Sequence, residues 1–487
     1  MTAATLLARE GCDVTVLEQH QVPGGLMHTF QRAFRQLPTG VHNVGCLDPG
    51  EILWRYLTYL DVFRRIRLRR MPDDCVVDLQ FPQLSFRMPG NRDAYRQRLV
   101  EMFPDEQPAI DAFLDEMRDC GSHFPLYNCR YGRDDAMPRS LMISVNQRLE
   151  QLRVSPQLHA VLTGHSLLWG VESAHCPLYI HHLVTDTLLR GACRIGDDGP
   201  SLGDAFAGAL QDAGGSLRCN HEVTEITCED RHVRGVTANG EFFPADVVVF
   251  TGHPRALPAL CTPGAFRQSY RTRLADLQDT LGSFGAAVQW DCPECPASEH
   301  DVFLHEDLDT DRPYLQRLFN TDQQPRCIYL SGHPHPKTQG HTVTMLTPMY
   351  AEEVQQWAGL KRARRGDEYE QRKADVAARM IRSLERRWPQ TAGKLKILAA
   401  FTPLTLEHYT RSPRGSAYGV KRTSGSLLAS HVGPVTRVQG LLLAGQNIVL
   451  SGVIGAVISG VQAAQIAVGD APLVEKIAEK TGIHARD

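Results

Sequence analysis

The hydrophobic and polar positions at the start of the chain change from a helical to a strand period. Residues 2–10 are rich in Ala and Leu, Gly11 suits a position just after a helix, and the apolar run 14–17 ends on Glu18. This pattern predicts a helix and then a strand, the second half of a β-α-β unit. In dinucleotide-binding units, the acid after the second strand binds a ribose about 20 residues after a glycine-rich turn. We therefore expect Glu18 to bind a ribose, with the glycine-rich turn and its strand lying before Met1.

The same α/β character returns twice along the chain. Residues 201–213 predict a helix, and residues 245–250 predict a buried strand. Near the C-terminus, the pattern predicts a buried strand over 441–444, a glycine turn and an apolar helix over 453–468. We therefore predict one discontinuous α/β domain made from residues 1–50, 196–255 and 396–487.

The segments between these parts have a different pattern. Apolar residues at helical spacing predict helices over 52–63, 92–120 and 140–190. Further along, alternation predicts strands over 284–290 and 342–347, and a charged helix follows over 367–387. We predict a second, α+β substrate domain with a mixed sheet and a helical cap, made from residues 51–195 and 256–395.

The overall composition excludes some functions. The chain has 487 residues, with 52 Lys and Arg against 55 Asp and Glu, a formal net charge of −3, and 42% hydrophobic residues. This composition is typical of a globular protein with a large core, and it excludes charge-driven binding of nucleic acid as the main function. The 13 cysteines, and the charged Arg9 and Glu10 near the start, predict a reduced, cytoplasmic protein without a secretory leader.

Two clusters suggest metal or membrane binding. Cys292 and Cys295 form a CxxC pair, but no second pair lies at short spacing, so we predict no metal site. An amphipathic helix is followed by a basic cluster, Arg64, Arg65, Arg67, Arg69 and Arg70. This cluster fits either contact with an anionic membrane, from which an apolar substrate would be drawn, or a solvated face. We expect peripheral membrane contact at most.

Several blocks of the chain resemble one protein family. They are residues 18–30, 39–45, 199–226 and the C-terminal segments 402–419 and 444–456. In these blocks the chain resembles the phytoene desaturase, carotenoid isomerase and retinol saturase family of FAD-dependent oxidoreductases, which share the flavin amine oxidase architecture. The resemblance implies a Rossmann-like FAD-binding domain interleaved with the substrate domain. It also implies a long, apolar, polyene-like substrate.

The resemblance and local chemistry together suggest which residues bind FAD. Adjacent glycines let main-chain N–H groups approach a phosphate, and a helix start supplies partial positive charge. By resemblance, the main chain of Val223 contacts adenine, and Asn447 replaces an acid that relatives often carry. The expected FAD-binding residues are Glu18, Gly24, Gly25, Val223, Gly445, Asn447, Gly452, Val453 and Gly455.

The catalytic candidates are fewer, because a flavin carries the hydride chemistry and the protein mainly orients the substrate. Saturation of a double bond needs a proton donor as well. The resemblance places His42 near the flavin ring, although a lone histidine among apolar residues is also typical of a core. The candidates are His42, Glu407, Tyr409 and Tyr418, and packing is an alternative role for the tyrosines.

Alternatives to an oxidoreductase of carbon–carbon bonds stay open. A near variant is flavin-assisted cis/trans isomerisation. A flavin-free, prenyl-binding chaperone, like the related GDP-dissociation inhibitors, is suggested because no glycine-rich turn precedes the first helix in the sequence. An amine oxidase is a weaker alternative, because the C-terminal blocks resemble the isomerase and saturase branch more closely. The substrate itself, the direction of reaction, the electron acceptor and the oligomeric state are also open.

Overall fold

The computed structural model describes residues 1–32, 35–124, 126–127, 129, 139–195, 199–334, 340–361, 364–469 and 472–482. The α-helices are α1 (Thr2–Arg9), α2 (Ile52–Tyr59), α3 (Arg92–Met102), α4 (Gln107–Cys120), α5 (Arg139–Met142), α6 (Val145–Leu152), α7 (Pro156–Thr163), α8 (Leu178–Leu188), α9 (Leu202–Asp212), α10 (Leu257–Leu260), α11 (Gln268–Ala275), α12 (Gly366–Arg387), α13 (Pro403–Thr410), α14 (Leu427–Ser430), α15 (Gly452–Val468) and α16 (Leu473–Lys480).

The strands are β1 (Thr15–Leu17), β2 (Thr29–Arg32), β3 (Arg35–Pro38), β4 (Leu68–Arg70), β5 (Val77–Gln80), β6 (Ser85–Met88), β7 (Cys193–Ile195), β8 (Ser216–Arg218), β9 (Val223–Glu229), β10 (His232–Ala238), β11 (Glu241–Pro244), β12 (Val248–Phe250), β13 (Gly282–Trp290), β14 (Asp301–His305), β15 (Cys327–Pro334), β16 (His341–Met349), β17 (Leu395–Phe401) and β18 (Leu441–Leu443).

A seven-stranded sheet dominates the second half of the chain. Its order is β17-β13-β16-β15-β14-β5-β6. β14 and β5 run parallel, and the other neighbouring pairs are antiparallel. Helix α12 packs into the same core as this sheet through Val376, Met380 and Leu384, which recur at helical spacing. The predicted mixed sheet is confirmed.

A helical cap follows β5 and β6 in sequence. In sequence, helices α3 to α8 come between β4 and β7, which pair with each other as a small antiparallel sheet. Their apolar faces bury Phe113, Leu149 and Leu183 in one core, which also contains Leu53 of α2. The predicted helical cap is therefore observed, and this shared core joins it to the rest of the fold.

The α/β part contains two parallel strand pairs. β1 pairs with β8, and β12 pairs with β18. β9, β10 and β11 form an antiparallel sheet of their own. The strand predicted to be buried over 245–250 is observed as β12, but it is only partly buried, because it lines the cavity described below.

Two predicted domain boundaries fall at or within a β-strand. β17 starts at Leu395 and pairs with β13, so the seven-stranded sheet continues past the predicted boundary at 396 as far as Phe401. The predicted boundary between 195 and 196 borders residues 196–198, which lie outside the described residues. Backbone pairing across the sheet, which the sequence does not display, determines where the strand ends.

The basic cluster after α2 is held by acidic partners. Arg64 and Arg65 both form ion pairs with Asp61 and Asp212. Arg70 pairs with two further aspartates, and Arg69 donates to the carbonyl oxygen of residue 298. The cluster is thus largely neutralised within the protein. Throughout the described ranges, no helix has both the length and the apolar character that crossing a membrane requires.

Candidate active site

A large cavity lies where the parallel strand pairs meet the cap and the seven-stranded sheet. Its volume is about 1720 Å³, and its walls include residues of β1, β12, the start of α15, α8 and β15. Ligand pockets in proteins usually measure about 300–1,000 Å³. The cavity is therefore large enough for a dinucleotide together with a second sizeable molecule.

Gly24 and Gly25 form a tight turn on the cavity wall. Their φ angles are 107° and 57°, in the left-handed region that favours glycine. A Cβ atom at Gly24 would lie 2.7 Å from Gly203 Cα, so this position has no room for a side chain. Glycine at this position therefore lets the turn pack directly against the start of α9.

Glu18 and Val223 line the same cavity. Glu18 directly follows β1, and its N–H donates to the carbonyl oxygen of Arg218 at 2.9 Å. Its carboxylate accepts a hydrogen bond from the N–H of His20 at 2.8 Å. The N–H of His221 donates to the Glu18 carbonyl oxygen at 2.8 Å, which holds the two segments side by side. The predicted ribose and adenine contacts are thus brought together.

The start of α15 faces the cavity. Gly452 and Val453 line the wall, and Ser451, the residue before the helix, makes no side-chain capping hydrogen bond. The first main-chain N–H groups of the helix are therefore available to an anion. Gly455 does not line the cavity. A Cβ atom there would lie 1.9 Å from the carbonyl oxygen of Leu450, so the close approach of loop and helix requires glycine.

Gly445 and Asn447 have partners within the protein. The N–H of Gly445 donates to Ser459 Oγ at 2.8 Å. Asn447 is buried, and its Oδ1 accepts a hydrogen bond from the N–H of Val420 at 2.9 Å. A Cβ atom at Gly419 would lie 1.9 Å from the same oxygen. Asn447 therefore holds this neighbouring loop in place, and its NH₂ group is what it can offer to a ligand.

His42 is a buried imidazole on the cavity wall. It is 7% exposed, and neither ring nitrogen has a hydrogen-bond partner among the described residues. Burial lowers the pKa of His42 to about 4. The charges of His333 and Arg194 act in the same direction, and Asp301 opposes them. The ring is therefore uncharged at neutral pH, with a free lone pair.

A polar network that the sequence did not indicate lies behind His42. Arg194 and Asp301 form an ion pair at 2.9 Å, with side chains 1% and 0% exposed. Tyr329 OH donates to Asp301 at 2.8 Å, and the amide of Asn43 donates to the same carboxylate oxygen. Tyr329 and Asn43 line the cavity, and the rings of Tyr329 and His42 lie 5.6 Å apart. The buried ion pair thus fixes two polar groups beside His42.

The other catalytic candidates lie apart from one another. Tyr418 lines the cavity, and burial raises the pKa of its hydroxyl. Tyr409 also lines it but is 39% exposed, with its ring 5.8 Å from that of His20. Glu407 does not line the cavity, and its carboxylate accepts a hydrogen bond from the N–H of Arg414 at 3.3 Å. The structure therefore brings His42, Tyr409 and Tyr418 to the cavity wall and leaves Glu407 outside it.

The cap and the large sheet give the cavity an uncharged lining. Apolar side chains dominate there, among them Leu167, Leu168, Leu183, Val184, Leu346 and Phe401. Polar contacts come from hydroxyl groups, including those of Tyr314 and Tyr329. Within residues 51–195 and 256–401, as far as they are described, no Asp, Glu, Lys or Arg lines the cavity. This part of the cavity therefore suits an apolar molecule.

The opposite part of the cavity fits a flavin dinucleotide. A carboxylate for the ribose, a glycine turn without room for a side chain, and an uncapped helix start all face the same space. These are the groups that bind the ribose and the diphosphate of such a molecule. The residues present therefore fit FAD.

Comparison with known proteins agrees with this site. The family described as flavin containing amine oxidoreductase matches residues 1–468. An all-trans-retinol 13,14-reductase of Homo sapiens is 25% identical over 511 residues, covering 94% of this chain and 82% of that protein. Prolycopene isomerase 2, chloroplastic, of an Oncidium hybrid cultivar is 26% identical over 275 residues, covering 51% of this chain and 46% of that protein.

A solved structure shares the fold. An oxidoreductase from Methanosarcina mazei has a TM-score of 0.66 at 14% identity, with 95% of this chain and 97% of that chain covered. The family match spans nearly the whole chain, and the glycine turn and helix start fit the cofactor of that family. The predicted fold class is confirmed as well. The chain belongs to the flavin containing amine oxidoreductase family and is an FAD-dependent oxidoreductase.

Proposed function

We propose that the enzyme acts on carbon–carbon bonds of a long, apolar, polyene-like substrate, by desaturation, saturation or cis/trans isomerisation. The observation that carries this proposal is the uncharged lining contributed by the cap and the large sheet. Burying apolar surface contributes about 25 cal/mol per Å², whereas burying an unpaired charge is costly. The relatives named for retinol reduction and prolycopene isomerisation support the same class of substrate.

FAD, when bound, accepts or supplies the hydride. We propose that Glu18 binds the adenosine ribose and that the main chain of Val223 contacts adenine. Gly24-Gly25 and the N-terminus of α15, from Gly452 onward, offer main-chain N–H groups to the phosphates. Gly445, Asn447 and Gly455 shape the loop that leads into α15.

His42 is proposed as the residue that exchanges a proton with the substrate. Removal of two hydrogens from a carbon–carbon bond releases a hydride and a proton, and a neutral imidazole beside the substrate can accept that proton. The pKa of about 4 keeps His42 neutral. Donation in the opposite direction needs an imidazolium, which is scarce at neutral pH. The lowered pKa also makes the ring a weak base, so it does not by itself favour desaturation or saturation.

Tyr418 is proposed as a neutral hydrogen-bond donor to the substrate. Its hydroxyl keeps its proton, because burial raises its pKa. Tyr409 stands at an exposed part of the wall, and Glu407 lies off it. Neither position supports a role in proton transfer, and packing or hydrogen bonding to the protein accounts for both.

An amine oxidase is less consistent with the lining. An aliphatic amine is a cation at neutral pH, and burying it without a carboxylate is unfavourable. Asp301 is the buried acid of the network beside His42, and its two oxygens already accept hydrogen bonds from Arg194, Tyr329 and Asn43. The proposal of a polyene-like substrate avoids this cost.

A cytoplasmic location is also proposed. All thirteen cysteines are free thiols, as expected in a reducing compartment. Peripheral membrane contact through the basic cluster has less support, because Arg64, Arg65 and Arg70 are paired with aspartates. Binding of the protein to anionic vesicles, measured by sedimentation, tests that contact.

The substrate proposal is tested by anaerobic mixing of the yellow protein with long polyenes and, in parallel, with a primary alkylamine of similar length. Desaturation should bleach the absorbance of the oxidised flavin. Saturation should restore the absorbance of a flavin first reduced with dithionite, and isomerisation should change the geometry of the polyene without net flavin turnover. His42→Gln should slow bleaching at least about 100-fold, because it removes the proton acceptor. His408→Gln, on the exposed face of α13, is the matched control and should leave the rate unchanged. Bleaching by the amine alone would contradict the proposal, and a colourless protein that cannot be reconstituted would favour the chaperone.

A further inference from the structure

We propose that Arg411 binds the diphosphate of the flavin dinucleotide. Among the described residues that line the cavity, Arg411 is the only arginine or lysine, whereas four carboxylates line it, those of Asp13, Glu18, Glu222 and Asp246. A dinucleotide adds the two negative charges of its diphosphate to this acidic surface. The inference rests on the assignment of FAD and not on the identity of the substrate.

The position of Arg411 places it beside the adenosine half of the site. It is the residue that ends α13, in a left-handed conformation with φ 54° and ψ 19°. Its guanidinium donates to Gln19 Oε1 at 3.1 Å and to Glu222 Oε1 at 3.2 Å. Gln19 and Glu222 are the sequence neighbours of Glu18 and Val223, the proposed ribose and adenine contacts. The guanidinium therefore lies beside the segments that carry the proposed ribose and adenine contacts. Helix α13, which it directly follows, also contacts the Gly25–Met27 turn, next to the proposed phosphate-binding glycines.

The present partners of Arg411 hold it weakly. The side chains of Arg411 and Glu222 are 60% and 57% exposed, and ion pairs between exposed side chains contribute little. A guanidinium forms stronger, two-pronged hydrogen bonds with phosphate. The helix start of α15 supplies only partial charge. Exchange of Glu222 for a phosphate would therefore be favourable. Among the described side chains that line the cavity, Arg411 is the one with a full positive charge to balance the anion.

Arg414 provides a matched control. It lies three residues further along, also with a left-handed backbone, and its side chain is 53% exposed and paired with Glu352. Arg414 does not line the cavity. Loss of a charge from this loop can therefore be separated from loss of a charge at the dinucleotide.

The test compares Arg411→Gln and Arg414→Gln with the unchanged chain, using flavin fluorescence to measure equilibrium binding of FAD and of riboflavin, which lacks phosphate. We expect Arg411→Gln to weaken FAD binding about tenfold or more, the usual effect of losing a hydrogen bond between charged groups. Riboflavin binding should be unchanged, and Arg414→Gln should match the unchanged chain for both. Equal weakening of FAD and riboflavin, or no weakening of FAD, would overturn the proposal.

Two further measurements distinguish other outcomes. In the unchanged chain, raising NaCl from low to high concentration should weaken FAD binding and leave riboflavin binding constant, which tests the charge contact even where a variant folds poorly. NADH carries a similar diphosphate, so it is titrated in parallel. Weakening of NADH binding alone by Arg411→Gln would overturn the assignment to the flavin. Failure of the unchanged chain to bind FAD would overturn the cofactor together with this proposal.

Discussion

Asp301 has no exposed surface, and its carboxylate is shared by Asn43, Arg194 and Tyr329. These partners lie 258, 107 and 28 positions away in sequence. No periodicity or motif connects such positions, so the sequence could indicate His42 but not the network beside it. The glycine turn at 24–25 was predictable, because a turn after a strand and an acid is a local feature.

Replacement of Arg194 should be strongly destabilising. Arg194→Met leaves the Asp301 carboxylate buried without its charged partner, and we expect a loss of about 3–5 kcal/mol in the free energy of unfolding. Arg234→Met breaks an ion pair with Glu229 in which the side chains of Arg234 and Glu229 are 49% and 65% exposed. It should lower the free energy of unfolding by less than about 1 kcal/mol. Urea unfolding measures both. Similar losses of stability in the two variants would contradict the expectation that breaking the buried pair costs more than breaking the exposed one.

Among the elements, α15 and β5 show what a local pattern can and cannot predict. The glycine turn and long apolar run predicted a helix over 453–468, and the structure has α15 at Gly452–Val468. β5 was not predicted. All four residues of β5 are buried, and its polar residues, Asp78 and Gln80, are hydrogen-bonded to each other at 2.7 Å. Polar positions in β5 therefore do not mark an exposed face, and the alternation used to predict half-exposed strands does not apply. Its parallel partner, β14, comes from a distant part of the chain.

The start of α15 should be intolerant of a side chain at Gly455. A Cβ atom there would meet the carbonyl oxygen of Leu450 at 1.9 Å, so Gly455→Ala should displace the helix start and lower the FAD content of the purified protein. Gly208→Ala, within α9, is the matched control, because its Cβ atom meets only the flexible end of Arg65. The ratio of flavin to protein absorbance, with circular dichroism as a check on folding, measures the effect. Full flavin content in Gly455→Ala would contradict it.

On the scale of the whole molecule, buried histidines connect the cap to the large sheet. His165, His181 and His182 lie in the cap and His305 in β14, all nearly inaccessible to water. Burial lowers the pKa of His181 and His305 to about 4, and those of His165 and His182 well below the usual value. The rings of His181 and His182 contact the ring of Phe113, so both pack in the core of the cap.

These histidines should make the fold sensitive to acid. Because their pKa values are lowered on folding, the unfolded chain binds more protons below pH of about 6.5, and stability falls as the pH drops from there toward 4. A shift from 6.5 to about 4 corresponds to roughly 3 kcal/mol for each histidine. Urea midpoints should therefore be clearly lower at pH 5 than at pH 7, and His305→Gln should reduce that difference. Equal midpoints at both pH values would contradict this.

The plan of the whole molecule was predictable in part. Apolar strand patterns recur in separate parts of the chain, and these parts supply β1, β8, β12 and β18 of the parallel pairs. The basic cluster could not be interpreted from sequence, because its partners Asp48 and Asp212 lie outside it. The uncharged lining of the cavity was equally hidden, since it is assembled from both predicted parts of the substrate domain.

The most direct test of the proposed chemistry is the mass of the product formed under anaerobic conditions. FAD-loaded protein is incubated with one equivalent of a long polyene. The polyene is then extracted, and its mass is measured by mass spectrometry. With oxidised flavin, desaturation predicts a product that has lost two hydrogens, in an amount equal to the flavin that becomes reduced. With flavin reduced beforehand, saturation predicts a gain of two hydrogens, and isomerisation predicts a changed geometry at unchanged mass. A primary alkylamine is incubated in parallel. Reduction of the flavin by the amine, with every polyene recovered at unchanged mass and geometry, would contradict the proposed function.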